Sequence, residues 1–300
     1  MRGMFRRLLV VLLAICLLLS VAMPCVAESA SIYLDAISGV MDTLRESDSN
    51  ASNINHQILN GRYRTVQMLE IIAYELDTTG IYSDAIDAVM DTLIESDSSA
   101  SNINHQILNG AYRTVQMLEI IAYELDTTGE YADAIDAVMD TLIEADSRAS
   151  NINHQILNGT YRTVQMLEII AYELDTYGFY SDYIDGVMDT LIESDSSASN
   201  INHQILNGVY RTVQMLEIIA YELDTDGMFA DYISDVMDTL REGDSNATNI
   251  NHQILNGTYR TVQMLEIIAY ESIPDGIAPR QGIDKDDVDM TPDAIVDNDL

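Results

Sequence analysis

The chain has 300 residues, a formal net charge of −35, 47% hydrophobic residues, two cysteines and no tryptophan. An acidic surface of this kind repels nucleic acid and anionic lipid heads, so neither is an expected partner. Both cysteines, Cys16 and Cys25, fall within the first 27 residues, leaving the rest of the chain without disulfides, thiolate metal sites or a cysteine nucleophile.

Residues 1–27 have a secretory layout. Arg2, Arg6 and Arg7 precede an apolar run from Leu8 to Val21, and Pro24-Cys25-Val26-Ala27 ends in a small residue suited to signal peptidase. The expected product begins at Glu28, is secreted or held at the cell surface, and has no membrane segment after cleavage. The alternative is an uncleaved anchor, because the apolar stretch extended to Ala27 just reaches spanning length.

From residue 28 to 276 the chain repeats at a period of 49 residues, in units of about 31–79, 80–128, 129–177, 178–226 and 227–275. One block recurs without change apart from a single position: Asn-Ile-Asn-His-Gln-Ile-Leu-Asn-Gly-x-Tyr-Arg-Thr-Val-Gln-Met-Leu-Glu-Ile-Ile-Ala-Tyr-Glu. Its first copy runs from Asn53 to Glu75 and its last from Asn249 to Glu271. The free position holds Arg62, Ala111, Thr160, Val209 and Thr258.

In the second unit, Ile86, Val89, Leu93, Ile103, Ile107, Val115, Leu118, Ile121 and Leu125 share one face at helical spacing. The stripe keeps its phase for more than forty residues. No proline interrupts the chain between Glu28 and Ile273, and Gly80, Gly129, Gly178 and Gly227 stand where a helix C-terminal cap takes a left-handed residue. The fold class is therefore all-α, built of five tandem helical repeats.

The leading arrangement is one helix of about 43 residues per unit, roughly 65 Å long, with neighbours antiparallel in an up-and-down array. Two alternatives share the pattern. The Ser/Asp-rich stretch Glu95–Ser101 or the Asn109-Gly110 dipeptide could split each unit into a hairpin, giving an α-solenoid. A period of seven heptads is also compatible with a continuous coiled-coil rod.

Within one long helix, His56, His105, His154, His203 and His252 would sit at the midpoints and share a level. Five imidazoles with their neighbouring asparagines would then form a polar belt of the kind a zinc, copper or haem site uses. Against this, the block offers no second ligand at i+4, and the histidines lie off the apolar stripe. They are named as a speculative belt, with no metal and no cofactor expected.

The free position lies close to the centre of the stripe and still accepts Arg62 as well as Val209. Packing there is expected to be loose, locally open or different in the first unit. Repeated Tyr and Met residues read as core and flank. Asn50, Asn158, Asn246 and Asn256 head glycosylation sequons in some units only.

Residues 277–300 form a Pro- and Asp-rich stretch expected to be a disordered acidic tail. Asp284–Asp289 lacks the glycine and the spacing of an EF-hand loop.

No phosphate loop, catalytic triad or isolated pair of carboxylates stands out, so the chain is expected not to be an enzyme. The functional expectation is a secreted or cell-surface structural spacer or protein-interaction and adhesion module, with a protein partner or self-association. The alternative is an extracellular metal or small-ligand carrier using the His/Asn belt.

Overall fold

A computed structural model describes residues 33–225 and 227–272. Residues 1–27, read as a signal segment, and 277–300, read as a disordered acidic tail, lie outside the described residues. Ten helices and no strand occur among the described residues, in agreement with the all-α repeat reading. They are α1 (33–49), α2 (Ile54–Leu76), α3 (Ser83–Ser99), α4 (Ile103–Leu125), α5 (Ala132–Arg148), α6 (Ile152–Leu174), α7 (Ser181–Ser197), α8 (Ile201–Leu223), α9 (Ala230–Asn246) and α10 (Ile250–Ser272). None of them is long and apolar enough to cross a membrane.

Each unit is thus a pair, a short helix of 17 residues followed by a long one of 23. This is the hairpin arrangement rather than one unbroken helix. The break falls between Ser99 and Ile103, and its cause is local. Asn102 leaves the helical region at φ −166 and ψ 172, and its side chain accepts from the amides of Asn104 and His105. Two of the orphan donors of a new helix start are satisfied, which favours restarting the helix over continuing it. The same geometry recurs at Asn53, Asn151 and Asn200.

The long helix ends on another repeated device. Asp77 caps α2, and its carboxylate accepts from the amides of Ile81 and Tyr82 and from the Ser83 hydroxyl. Gly80 turns the chain at φ 71, in the left-handed region that disfavours a Cβ. The Tyr82 position has no side-chain cap of its own. One aspartate therefore closes one helix and opens the next.

The long helices α2, α4, α6, α8 and α10 pack side by side in that order, and α10 packs against α2 to the same extent. The five hairpins close into a ring. Long helices form the inner wall, while α3, α5, α7 and α9 lie outside, each against the long helix of its own unit and more lightly against the preceding one. Corresponding residues meet at every junction, so the inner helices run parallel and share their levels.

What each face of an inner helix does follows from its contacts. Gly110 abuts Arg62 and Tyr63 of the preceding helix, whereas Asn109 donates to Asp97 of the outer helix at 3.1 Å. Between the two neighbour contacts remains the strip Ile58, Thr65, Leu69, Ile72 and Leu76, spaced i, i+7, i+11, i+14 and i+18, which points to the ring axis. Its first four members are buried. The stripes of α3, α5 and α7 are short: Ile86, Val89 and Leu93 in α3 and their counterparts are the buried residues.

Candidate functional site

The invariant block is the inner wall, and its glycine explains how closely that wall is built. A Cβ on Gly61, Gly208 or Gly257 would stand 2.6 Å from Thr258 Cγ2, Thr160 Cγ2 or Val209 Cγ1 of the preceding unit. At Gly110 and Gly159 it would meet the Cβ atoms of Arg62 and Ala111 at 3.1 and 3.2 Å. The free position x is therefore the knob that fills the next unit's glycine notch. Asn109-Gly110, one of the two places where the sequence suggested a break, lies inside α4 and serves helix approach.

Around this level the outer bonds repeat from unit to unit. Tyr112 donates to Asp146 and Tyr161 to Asp195, each reaching the outer helix of the following unit. The same aspartates accept from Asn158 and Asn207 of their own units at 3.0 and 3.3 Å. Tyr210 and Tyr259 bring their phenols beside Asp244 and Asp48, so the last unit reaches the first at the same level, although neither hydroxyl completes a hydrogen bond. The Tyr63 hydroxyl has no hydrogen-bond partner. Further along, Tyr74, Tyr123 and Tyr172 donate to Asp87, Asp136 and Asp185, each at 2.5 Å.

The histidines are not at a midpoint. His56, His105, His154, His203 and His252 lie in the first turn of their helices. His56, His105 and His154 are exposed, and the Nδ1 atoms of His105, His154 and His203 each share a 3.0 Å hydrogen bond with Ser101, Ser150 or Ser199. The break at Asn102 moves them from the centre of a long helix to one rim of the ring. No group of three or more His, Cys, Asp or Glu placed to hold a metal occurs among the described residues.

The opposite rim carries carboxylates. Burial raises Glu75 to about 8. Burial and then the charge of Asp77 raise Glu124 to about 7. Glu173 and Glu222 rise to about 8 by burial and by Asp126 and Asp175. At Asp77 and Asp175 burial pushes upward as well, yet the amide and hydroxyl donors win and hold both below the ordinary carboxylate range. The rim thus pairs an acid that favours its charge with one that resists it.

Besides the burial of α10 on every side from Ile254 to Tyr270, two features depart from five-fold repetition. At the x level, Arg62 stands alone among Ala111, Thr160, Val209 and Thr258. It is buried, with 6% of its surface exposed, and its Nε has no partner. Burial lowers its guanidinium to about 10. All five residues at x are buried, and of the three expectations there the difference in the first unit is the one that Arg62 displays.

The second departure is on the outside, where the third unit passes into the fourth. Tyr177, Phe179 and Tyr183 are 83%, 75% and 69% exposed, and the rings of Tyr177 and Phe179 are 5.9 Å apart. The two preceding junctions between units have Thr79, Ile81 and Ala85, and Thr128, Glu130 and Ala134, at these places. Sequence reading passed over this cluster because the three aromatics are spread over seven residues and two kinds of local structure. Its signal was the departure of this stretch from the corresponding ones at the two preceding junctions. No protein-family model, curated protein or solved structure matches the chain.

Proposed function

We propose that this chain is a secreted or cell-surface, non-enzymatic protein that works as an interaction or adhesion module. The observation that carries the reading is the division of labour within the units. The invariant block is spent on packing the ring, whereas aromatic rings with no structural task stand exposed at Tyr177, Phe179 and Tyr183. Exposed aromatic clusters are costly to keep in water and are enriched at protein contacts. A closed ring gains girth rather than length from its repeats, which favours presentation of a surface over service as a spacer.

The test uses labelled protein lacking residues 1–27, applied to the surface of its own host cells. Saturable binding is expected, with at least a tenfold loss of affinity in the triple variant Tyr177→Ser, Phe179→Ser, Tyr183→Ser. Equal binding by the triple variant, or no saturable binding by the parent, would sink the reading.

A further inference from the structure

A ring of five helices does not close over its own axis. With neighbouring axes about 8–10 Å apart, cylinders arranged as a pentagon leave room of about 3 Å radius along the axis, shared between the inward side chains and the space that remains between them. The lining is apolar: Ile58, Leu69, Ile72 and their counterparts turn toward it, together with Thr65 and its counterparts. The hydroxyls at and near the x level are already engaged. Thr160 and Thr258 donate to the carbonyls of Ile156 and Ile254, and Thr65 and Thr114 donate to those of Gly61 and Gly110.

Into this environment the first unit sends a guanidinium. Arg62 lies between the neighbour contact and the axis, with its Cβ against Gly110. It forms no ion pair or side-chain hydrogen bond among the described residues, and burial alone accounts for the perturbation of its charge. The carboxylates near the wall are turned outward: Asp48 faces Arg64 rather than Arg62, and Glu75 and Glu124 lie at the far rim. An unpaired charge in an apolar interior is strongly unfavourable unless an opposite charge joins it. In a chain with 49 acidic and 14 basic residues, a fully buried cation placed beyond the reach of any acid calls for a counter-ion from outside.

We propose that the axial gap beside Arg62 binds a compact monovalent anion, a halide or a small carboxylate such as formate, which supplies the counter-charge the chain withholds. The size limit comes from the gap. The preference for weak hydration comes from the partner, because a guanidinium is itself weakly hydrated and offers the ion no further donors here. Bromide is therefore held better than fluoride, and gluconate is excluded by size.

The experiment is thermal unfolding of the protein lacking residues 1–27, at constant ionic strength, in gluconate, fluoride, chloride, bromide or formate. Arg62→Met, which keeps the bulk and removes the charge, runs in parallel, with Arg62→Gln as a second variant should the first not fold. At tenfold excess over its Kd, a bound anion raises Tm by about 3–6 °C, and this rise is read as the difference between parent and variant. Line broadening of the chloride or bromide nuclear resonance by the parent, absent with Arg62→Met, gives an independent readout. Stabilisation by formate but not by halides assigns the site to carboxylates, and stabilisation by both assigns it to compact anions in general. Parent and variants that respond alike to every anion, or broaden the halide resonance equally, would overturn the proposal.

Discussion

Gly208→Ala is the sharpest test of the inner wall. In a helix interior this change ordinarily stabilises by about 0.5–1 kcal/mol, because alanine loses less backbone freedom on folding. At Gly208 the new Cβ would stand 2.6 Å from Thr160 Cγ2, with the Tyr161 ring at 3.2 and 3.3 Å. Thr160 is β-branched, fully buried and bonded to the Ile156 carbonyl, so it cannot swing aside. Overpacking of this kind costs about 1–3 kcal/mol, which leaves a net loss of about 0.5–2 kcal/mol. Gly186 supplies the control. Nothing lies within 4 Å of its Cβ direction, and the second and third units already hold Ala88 and Ala137 there. Gly186→Ala should therefore gain about 0.5–1 kcal/mol. Urea unfolding followed by far-ultraviolet circular dichroism measures both. Adding Thr160→Ala to Gly208→Ala should recover part of the loss, since Ala111 against Gly159 is the tolerated version of that contact. If Gly208→Ala proves as stabilising as Gly186→Ala, the close approach of the inner helices is wrong.

Three other outcomes can be measured on the same protein. Tyr161→Phe removes a bond to Asp195 and should cost about 1.5–3 kcal/mol, nearer the lower figure for a half-buried pair; Tyr63→Phe, whose hydroxyl has no partner, should cost almost nothing, and equal losses in urea would contradict the latch. Asn151→Ala removes the acceptor for the amides of Asn153 and His154 and should cost about 0.5–2 kcal/mol, whereas an unchanged midpoint would mean that α6 starts without its cap. Stability should also fall as pH rises. Burial carries Glu75, Glu173 and Glu222 up to about 8 in the folded protein, from an ordinary 4.5. The folded state therefore binds more protons between those limits, and each step up in pH favours unfolding. Tm should decline from pH 5 to pH 8.5, and the triple Glu→Gln variant should flatten the slope; a flat or rising profile in the parent would refute the burial of these acids.

Much of the fold was readable from spacing. The 49-residue period, the helical class and the glycine turns at Gly80, Gly129, Gly178 and Gly227 all stand as the pattern indicated. The split at Asn102 was masked by chance continuity: Ile86, Val89 and Leu93 of α3 and Ile107, Leu118 and Ile121 of α4 lie in phase on one hypothetical helix, although each set faces its own partner. Local capping chemistry then outweighed the continuous stripe. The Ser/Asp-rich stretch had marked the right place. Ring closure was not legible, because it depends on the rotation at each junction, which no single unit encodes. Arg62 was visible as an oddity at x, but its isolation from every acid is a property of three dimensions.

Closure also constrains how such a chain can vary. Insertion or loss of whole 49-residue segments is an easy change for a tandem array, and an open solenoid absorbs it by growing or shrinking at its ends. Here each junction turns the wall by one fifth of a circle, so four copies fall short and six overrun. Copy number becomes a property that folding itself inspects, and the five identical blocks are held to a count as well as to a sequence.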